Sequence, residues 1–420
     1  MSAIGALFGL LLAVALILKK ISPFYAMMAG AIAGALCGGM DISTSVKTMM
    51  DGVNSITPAV VRILSAGVLT GVLIKTGGAM SLANGIIKLS GERFALGAVA
   101  LATLILTAAG VFIDVAVITV APIALSLGKR LQFSKLTLLF AMIGGGKCGN
   151  IISPNPNTIA AAENMRAPLH SVMAANLIPA IVGFIAVVLI TRWVYPSGEK
   201  VKEDDLSELP DKLPSFFSAA VAPVVALLLL SFRPLFGITI DPMLALPVGG
   251  LAGILSMRKF KEIIPSLKVG VEKMSPVAVM LIGTGFLAGV IKSSTLNELI
   301  LSGLQSAHFP TLLIAPLSAA LLSGATASTT AGATVASSSF ADAIVGAGTS
   351  PNDGAAMINS GATILDHLPH GSFFHATAGA AALSIGNRMK LIPFESLIGI
   401  ILATATTLFV AFGGVIELQT

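Results

Sequence analysis

The chain has 420 residues, of which 55% are hydrophobic and 11% charged, with a formal net charge of +5. Mean hydropathy is +0.93, and a soluble domain carries roughly 25% charged residues, so the composition excludes an ordinary soluble protein and predicts a polytopic membrane chain. The basic residues sit in short loops between apolar runs, a pattern that writes membrane topology rather than a nucleic-acid surface.

In chain order, the first apolar run, 3–18, ends in Lys19-Lys20 without a small-residue cleavage pattern and reads as a retained helix, not a signal peptide. Spanning runs follow at 24–40 and 56–74. Residues 94–127 are too long for one crossing and too short for two ordinary ones. Their centre, Thr107–Gly110 with Asp114 beyond it, is small and polar, which predicts a re-entrant hairpin; two short full crossings are the alternative. Residues 136–166 read as a half-helix, an unwound loop and a second half-helix, because Pro154 and Pro156 lack the N–H that a continuous helix needs. A span at 171–194 completes the half. The hydrophilic segment 196–215 is a cytoplasmic linker whose run Glu203-Asp204-Asp205 is expected to be solvated. Spans at 216–234, 243–257 and 274–292, a second hairpin at 310–346, a second broken helix at 353–386 around Pro369, and a span at 396–416 follow. Cys37 and Cys148 read as packing residues.

The two halves match. Gly52, Val53, Pro58, Gly67 and Gly71 fall on Gly270, Val271, Pro276, Gly285 and Gly289 at constant offset, and Pro154 falls on Pro369. The predicted fold is all-α: residues 1–195 and 216–420 form an inverted-topology repeat of five crossings plus one re-entrant hairpin each. Five crossings per half invert the second half, so hairpin 94–127 opens inward and hairpin 310–346 outward. The Lys/Arg bias puts both termini outside a multi-pass inner membrane. Matched interruptions of this kind mark a secondary transporter, with the site where they meet.

The first island, Gly144–Thr158, offers Lys147, Asn150, Ser153, Asn155, Asn157 and Thr158 as substrate-binding candidates. Its second half-helix presents free N–H groups and partial positive charge, which suit a carboxylate; Asn157 or Thr158 as a bare N-cap is the alternative. Lys147 at membrane depth needs an anionic partner or must snorkel, and Asp114 is one such partner. In the second hairpin Ser323, Gly324, Thr326, Ser328, Thr329 and Thr330 form a ligand-facing tip or, alternatively, a helix-packing stripe. The second island contributes His370 and Ser372 to binding, and Asp366 beside His367 has the means to exchange a proton near neutral pH. Asp366, His367 and Asp114 are the ion-coupling candidates, with Glu163 a weaker one; Asp342, Asp353 and Glu395 are expected at the interface. No catalytic residue, metal site or cofactor is predicted, since no GxSxG, HExxH or paired catalytic aspartates occur.

SPNPNTIAAAEN and SGATILDHLPHGSFFHATAG, set in this repeat, resemble the gluconate permease (GntP) family of the ion transporter superfamily, in its hydroxy-acid permease-like branch. The Asn155–Thr158 loop is similar to the Ser-Asn-Thr loops of sodium-dicarboxylate transporters. The resemblance implies import of a small organic anion, a hydroxy-carboxylate or sugar acid such as gluconate, coupled to H⁺ by an elevator movement in a homodimer. A sodium-coupled di- or tricarboxylate symporter, or a cation/proton antiporter of the same superfamily, are the alternatives.

Overall fold

The structure, a computed structural model, describes residues 1–194, 198–206, 212–232, 238, 240–296, 298, 299, 302 and 310–413. The first half consists of α1 (Ala3–Leu18), α2 (Pro23–Cys37), α3 (Ile42–Lys75), α4 (Gly78–Ser90), α5 (Ala95–Ala108), α6 (Ile113–Leu131), α7 (Lys135–Asn150), α8 (Pro156–Asn164), α9 (Leu169–Ala175) and α10 (Leu177–Val194). The second contains α11 (Phe216–Leu230), α12 (Pro242–Met257), α13 (Ile263–Lys292), α14 (Ile314–Thr326), α15 (Thr329–Gly346), α16 (Pro351–Gly361), α17 (Ser372–Ala380), α18 (Ile385–Met389) and α19 (Ile392–Ala411). Among the described residues there is no β-strand, only an isolated bridge between Ser134 and Lys200.

The repeated glycines sit where the halves meet. Gly52 abuts Gly285 and Gly289 across the α3–α13 contact, while Gly67 and Gly71 abut Gly270. A Cβ on Gly67 would come within 2.7 Å of the Gly270 carbonyl oxygen, so only glycine permits this backbone approach. The pairing runs antiparallel, and each contact is the other's equivalent under the repeat. That is the self-complementary contact a two-fold axis generates, here perpendicular to two antiparallel helices, as an inverted repeat requires.

The first hairpin enters and leaves on one side. At its foot Arg130, ending α6, pairs with Glu92, just before α5, at 3.0 Å. From that side α7 runs parallel to α5: Gly145 packs on Ala100 and Thr103, and Gly149 on Leu104 and Thr107. The second hairpin turns more tightly. Ala327, at φ +46, and Ser328 join α14 to α15; a left-handed alanine costs on the order of 1 kcal/mol.

Spans differ in length from expectation. By length and composition α3, α10, the segment Phe260–Lys292 and the segment Ile385–Ala411 are able to cross a membrane. Helix α3 runs 34 residues, about 51 Å at 1.5 Å per residue, because Asp41 caps it from Thr44 N at 2.9 Å and extends it beyond the apolar run 56–74. Helices α1, α2, α11 and α12 have only 15 or 16 residues. Helix α4 was not anticipated. It meets the following Glu92–Ala108 segment at 113°, the chain turning at Gly91, whose φ of +71 suits glycine.

The acidic linker is not simply solvated. Lys135, 3% exposed, donates to Asp205 at 2.7 Å and to the Ala382 carbonyl at 3.2 Å, and Lys129 pairs with Glu203 at 3.1 Å. Val201 is buried against Leu138 and Gly128. Part of the predicted linker, 195–197 and 207–211, lies outside the described residues. Burial pushes the Asp205 carboxyl up, but the Lys135 ammonium and the Lys202 N–H outweigh it and hold it below the usual range. The hydrogen bond from Lys202 does the same for Glu199. Because both folded values are depressed, the docking contribution is full above the unfolded carboxylate range, near ~4, and is lost as pH falls through the folded values. Protease cutting of the linker should therefore stay slow at neutral pH and accelerate only below about pH 4; cutting that accelerates between pH 7 and 5 would contradict this.

Glu395 also departs from expectation. It is fully buried, not interfacial, and pairs with Arg388. Arg388 further donates to Thr377 at 3.2 Å and lies 4.7 Å from the Phe374 ring centroid, pinning α17 to α19. A buried charge is tolerable only when paired and hydrogen-bonded in this way.

Candidate functional site

A cavity of about 700 Å³ lies at the meeting point of both hairpins and both broken helices. One wall comes from the α1–α2 turn, Ser22–Phe24, and from α13 between Lys273 and Met280. The opposite wall is made of helix starts: Phe112–Val115 at α6, Asn157 at α8, Ser328–Thr330 at α15, and Ser372–Phe373 at α17. Each start follows a break, at a hairpin tip or an unwound loop. Four N-termini thus converge on one space, each carrying about half a positive charge in unsatisfied N–H groups.

Behind this wall lies a satisfied polar network. Asn155 caps α8, its Oδ1 accepting from Thr158 N at 3.1 Å and Thr158 Oγ1 at 3.0 Å, while its Nδ2 donates to Asn150 Oδ1 at 2.5 Å. Asn157 Nδ2 donates to Asn359 Oδ1 at 2.7 Å, and Asn359 Nδ2 donates to Thr158 Oγ1 and Ile151 O, each at 3.0 Å. The two broken helices are joined residue to residue here. Asn359 is a partner that sequence reasoning missed, though it opens the second polar island.

Lys147 settles its partner. It is fully buried, and its ammonium donates to Asp366 Oδ1 at 2.6 Å and to the Thr363 carbonyl, not to Asp114. Thr329 at the second hairpin tip donates to Asp366 Oδ2 at 2.6 Å. His367 Nε2 lies 3.1 Å from the Ile392 carbonyl, an acceptor only, so we infer that this nitrogen carries the proton. Nδ1 then accepts from Lys147 at 3.0 Å. Asp366 reaches the cavity, whereas Lys147 and His367 stand behind it.

The remaining candidates divide. Asn150, Asn157, Ser328, Thr329, Thr330 and Ser372 line the cavity. Ser153, Asn155, Thr158, Ser323, Gly324 and Thr326 do not, and Ser153 Oγ is buried with no hydrogen-bond partner among the described residues. His370 is exposed, with Nε2 3.3 Å from Ala325 O. Glu163 is bound to Arg62 instead of facing the cavity. Asp114 lines the cavity half-buried and, among the described residues, makes no hydrogen bond or ion pair. Among the described residues no group of three or more His, Cys, Asp or Glu is placed to hold a metal.

The geometry has relatives. Residues 1–248 match the family described as GntP family permease. The chain belongs to the GntP permease family. This permease is 52% identical to an uncharacterized transporter of Haemophilus influenzae over 97% of both chains. It is 24% identical to a gluconate permease of Pseudomonas aeruginosa over 74% of this chain and 75% of that one. Residues 218–307 also match a Na⁺-H⁺ antiporter family. A crystal structure of the Alcanivorax borkumensis YdaH transporter, reported to have an unusual topology, matches the permease with a TM-score of 0.62, 16% identity and 88% of each chain covered. That likeness bears on the fold alone, which is all-helical.

Proposed function

We propose that this permease imports a small organic anion, a hydroxy-carboxylate or sugar acid such as gluconate, in symport with protons. The observation that carries the reading is the convergence of four helix N-termini on one cavity, a ready-made site for carboxylate oxygens. Hydroxyls of Ser328, Thr329, Thr330 and Ser372 stand beside them, suited to a polyhydroxy chain. The gluconate permeases among its relatives support the same substrate class.

The elevator movement and the homodimer belong to this proposal. One cavity wall comes wholly from the α1–α2 turn and α13, the other from hairpins and broken helices, so sliding of the second group past the first would carry the site across. For coupling, Asp366 already has a cation in Lys147, which leaves Asp114 as the cavity carboxylate that has no partner among the described residues. The N-out, C-out orientation and the halves 1–195 and 216–420 are part of the reading.

A cation/proton antiporter is the second reading, favoured by the match of residues 218–307. The two part on ligand stabilisation. A symporter should be stabilised by gluconate or a related acid, by about 2.7 kcal/mol at a hundred times Kd. Thermal unfolding of purified permease with hydroxy acids and dicarboxylates, with and without sodium, measures this. Stabilisation by cations alone would favour the antiporter, and stabilisation that requires sodium would replace the proton.

A further inference from the structure

We infer that Arg62, Glu163 and Asp241 form a one-sided latch that shuts a second vestibule and thereby sets which way the central cavity faces at rest. The inference rests on the alternating-access reading above. Arg62, on α3, is held side-on by Asp241: Nε lies 3.1 Å from both carboxylate oxygens and Nη2 lies 2.7 Å from Oδ2. Its Nη1 donates to Glu163. Asp241 is itself fixed as the N-cap of α12, accepting from Met243 N at 2.8 Å. Arg62 and Asp241 belong to α3 and α12, which pack together and, through α3, with α13 on the first wall's side of the molecule, whereas Glu163 lies in the last turn of α8, one of the broken-helix elements of the opposite wall. One guanidinium therefore staples the two groups that must slide past each other.

The repeat identifies what the staple closes. A vestibule of about 390 Å³ is bordered by all three latch residues and by Pro168 and Leu169. Asp241-Pro242 open α12 as Ser22-Pro23 open α2, and Met280 stands on α13 where Arg62 stands on α3. Ser22, Pro23 and Met280 line the central cavity, and Ser22 is exposed, which places the cavity's opening there. The second vestibule is thus the repeat-related counterpart of that opening, on the opposite face. Inversion symmetry by itself makes the two facings near-equivalent. The places matched to Arg62, Asp241 and Glu163 hold Met280, Ser22 and Ala378, so no equivalent ion pair closes the other side. The bias therefore comes from these three residues of one face.

Labelling rates of single cysteines in permease reconstituted into lipid test this without any substrate. In a Cys37→Ser background, with Cys148 fully buried, Ser275→Cys reports on the central cavity and Ala167→Cys on the second vestibule, using N-ethylmaleimide as the probe. Arg62→Met, which copies the matched Met280, should speed labelling of Ala167→Cys by about fivefold, the ~1 kcal/mol that partly exposed ion pairs reach, and slow that of Ser275→Cys. Asp241→Ser should act in the same direction through the other partner, which guards against one variant failing to fold. Unchanged rates, or both probes speeding together as in general loosening, would overturn the latch. Because no carboxylate enters the assay, a failure of the organic-anion reading leaves this result interpretable.

Discussion

Asp114→Asn should abolish pH-driven accumulation while leaving exchange of substrate across the membrane intact. A one-unit pH gradient stores about 1.4 kcal/mol per proton, enough for about tenfold accumulation, and the variant should fall to equal concentrations. The physical argument is electrostatic. An ionised Asp114 in the cavity repels an incoming carboxylate; once protonated it does not, so proton and anion favour each other's binding, and the coupling is reciprocal. Asparagine keeps the shape and removes the titration. The charged surroundings leave the role to this residue. Asp366 and Lys273 share the cavity, but Asp366 is bound to Lys147 on α7. Helix α5 carries no charged residue, Lys88 on α4 is exposed, and His375 on α17 is hydrogen-bonded to Pro369 O at 2.8 Å. Normal concentrative uptake by Asp114→Asn, measured in vesicles with an imposed pH gradient, would return the coupling role to Asp366.

Lys147→Met should destabilise the folded protein by about 3–5 kcal/mol, since it strands a buried carboxylate. The partners are 0% and 2% exposed, so solvent gives no relief. The double variant Lys147→Met, Asp366→Leu should recover most of that loss, because a well-packed apolar pair often equals a buried ion pair. Chemical unfolding in micelles measures both. A single variant losing less than ~1 kcal/mol would mean that the pair does not hold the two broken helices together. The same pair bears on Asp366 as an ion-coupling candidate: beside His367, the geometry gives that carboxylate a lysine and a threonine as hydrogen-bond donors.

Much of the fold was legible in the sequence because bilayers permit few solutions. Apolar length, prolines in polar islands and repeated glycines each report a local constraint that no neighbour alters. Pro154 and Pro369 lie in the two helix breaks, whereas Pro58 and Pro276 sit inside continuous helices, so proline marks a break here only within a polar island; Gly52 and Gly270 mark a close contact before its partner is known. Residues at the breaks divide: Asn157, Ser328, Thr329, Thr330, Ser372 and Asp366 line one cavity, whereas Asn155, Thr158 and Ser323 do not.

What the sequence by itself determined was therefore the inverted all-helical repeat and its interrupted segments, a hairpin and a broken helix in each half. The tertiary structure alone decided the partners. Lys147 and Asp366 are separated by more than two hundred residues, as are Asn157 and Asn359, and composition cannot say which of several buried charges will meet. Nor does an acidic run such as Glu203–Asp205 announce that it will dock on Lys129 and Lys135. Charge pairing depends on distance and desolvation, which only the packed helices set; helix breaks follow from prolines and glycines clustered with polar residues, a pattern local to the sequence.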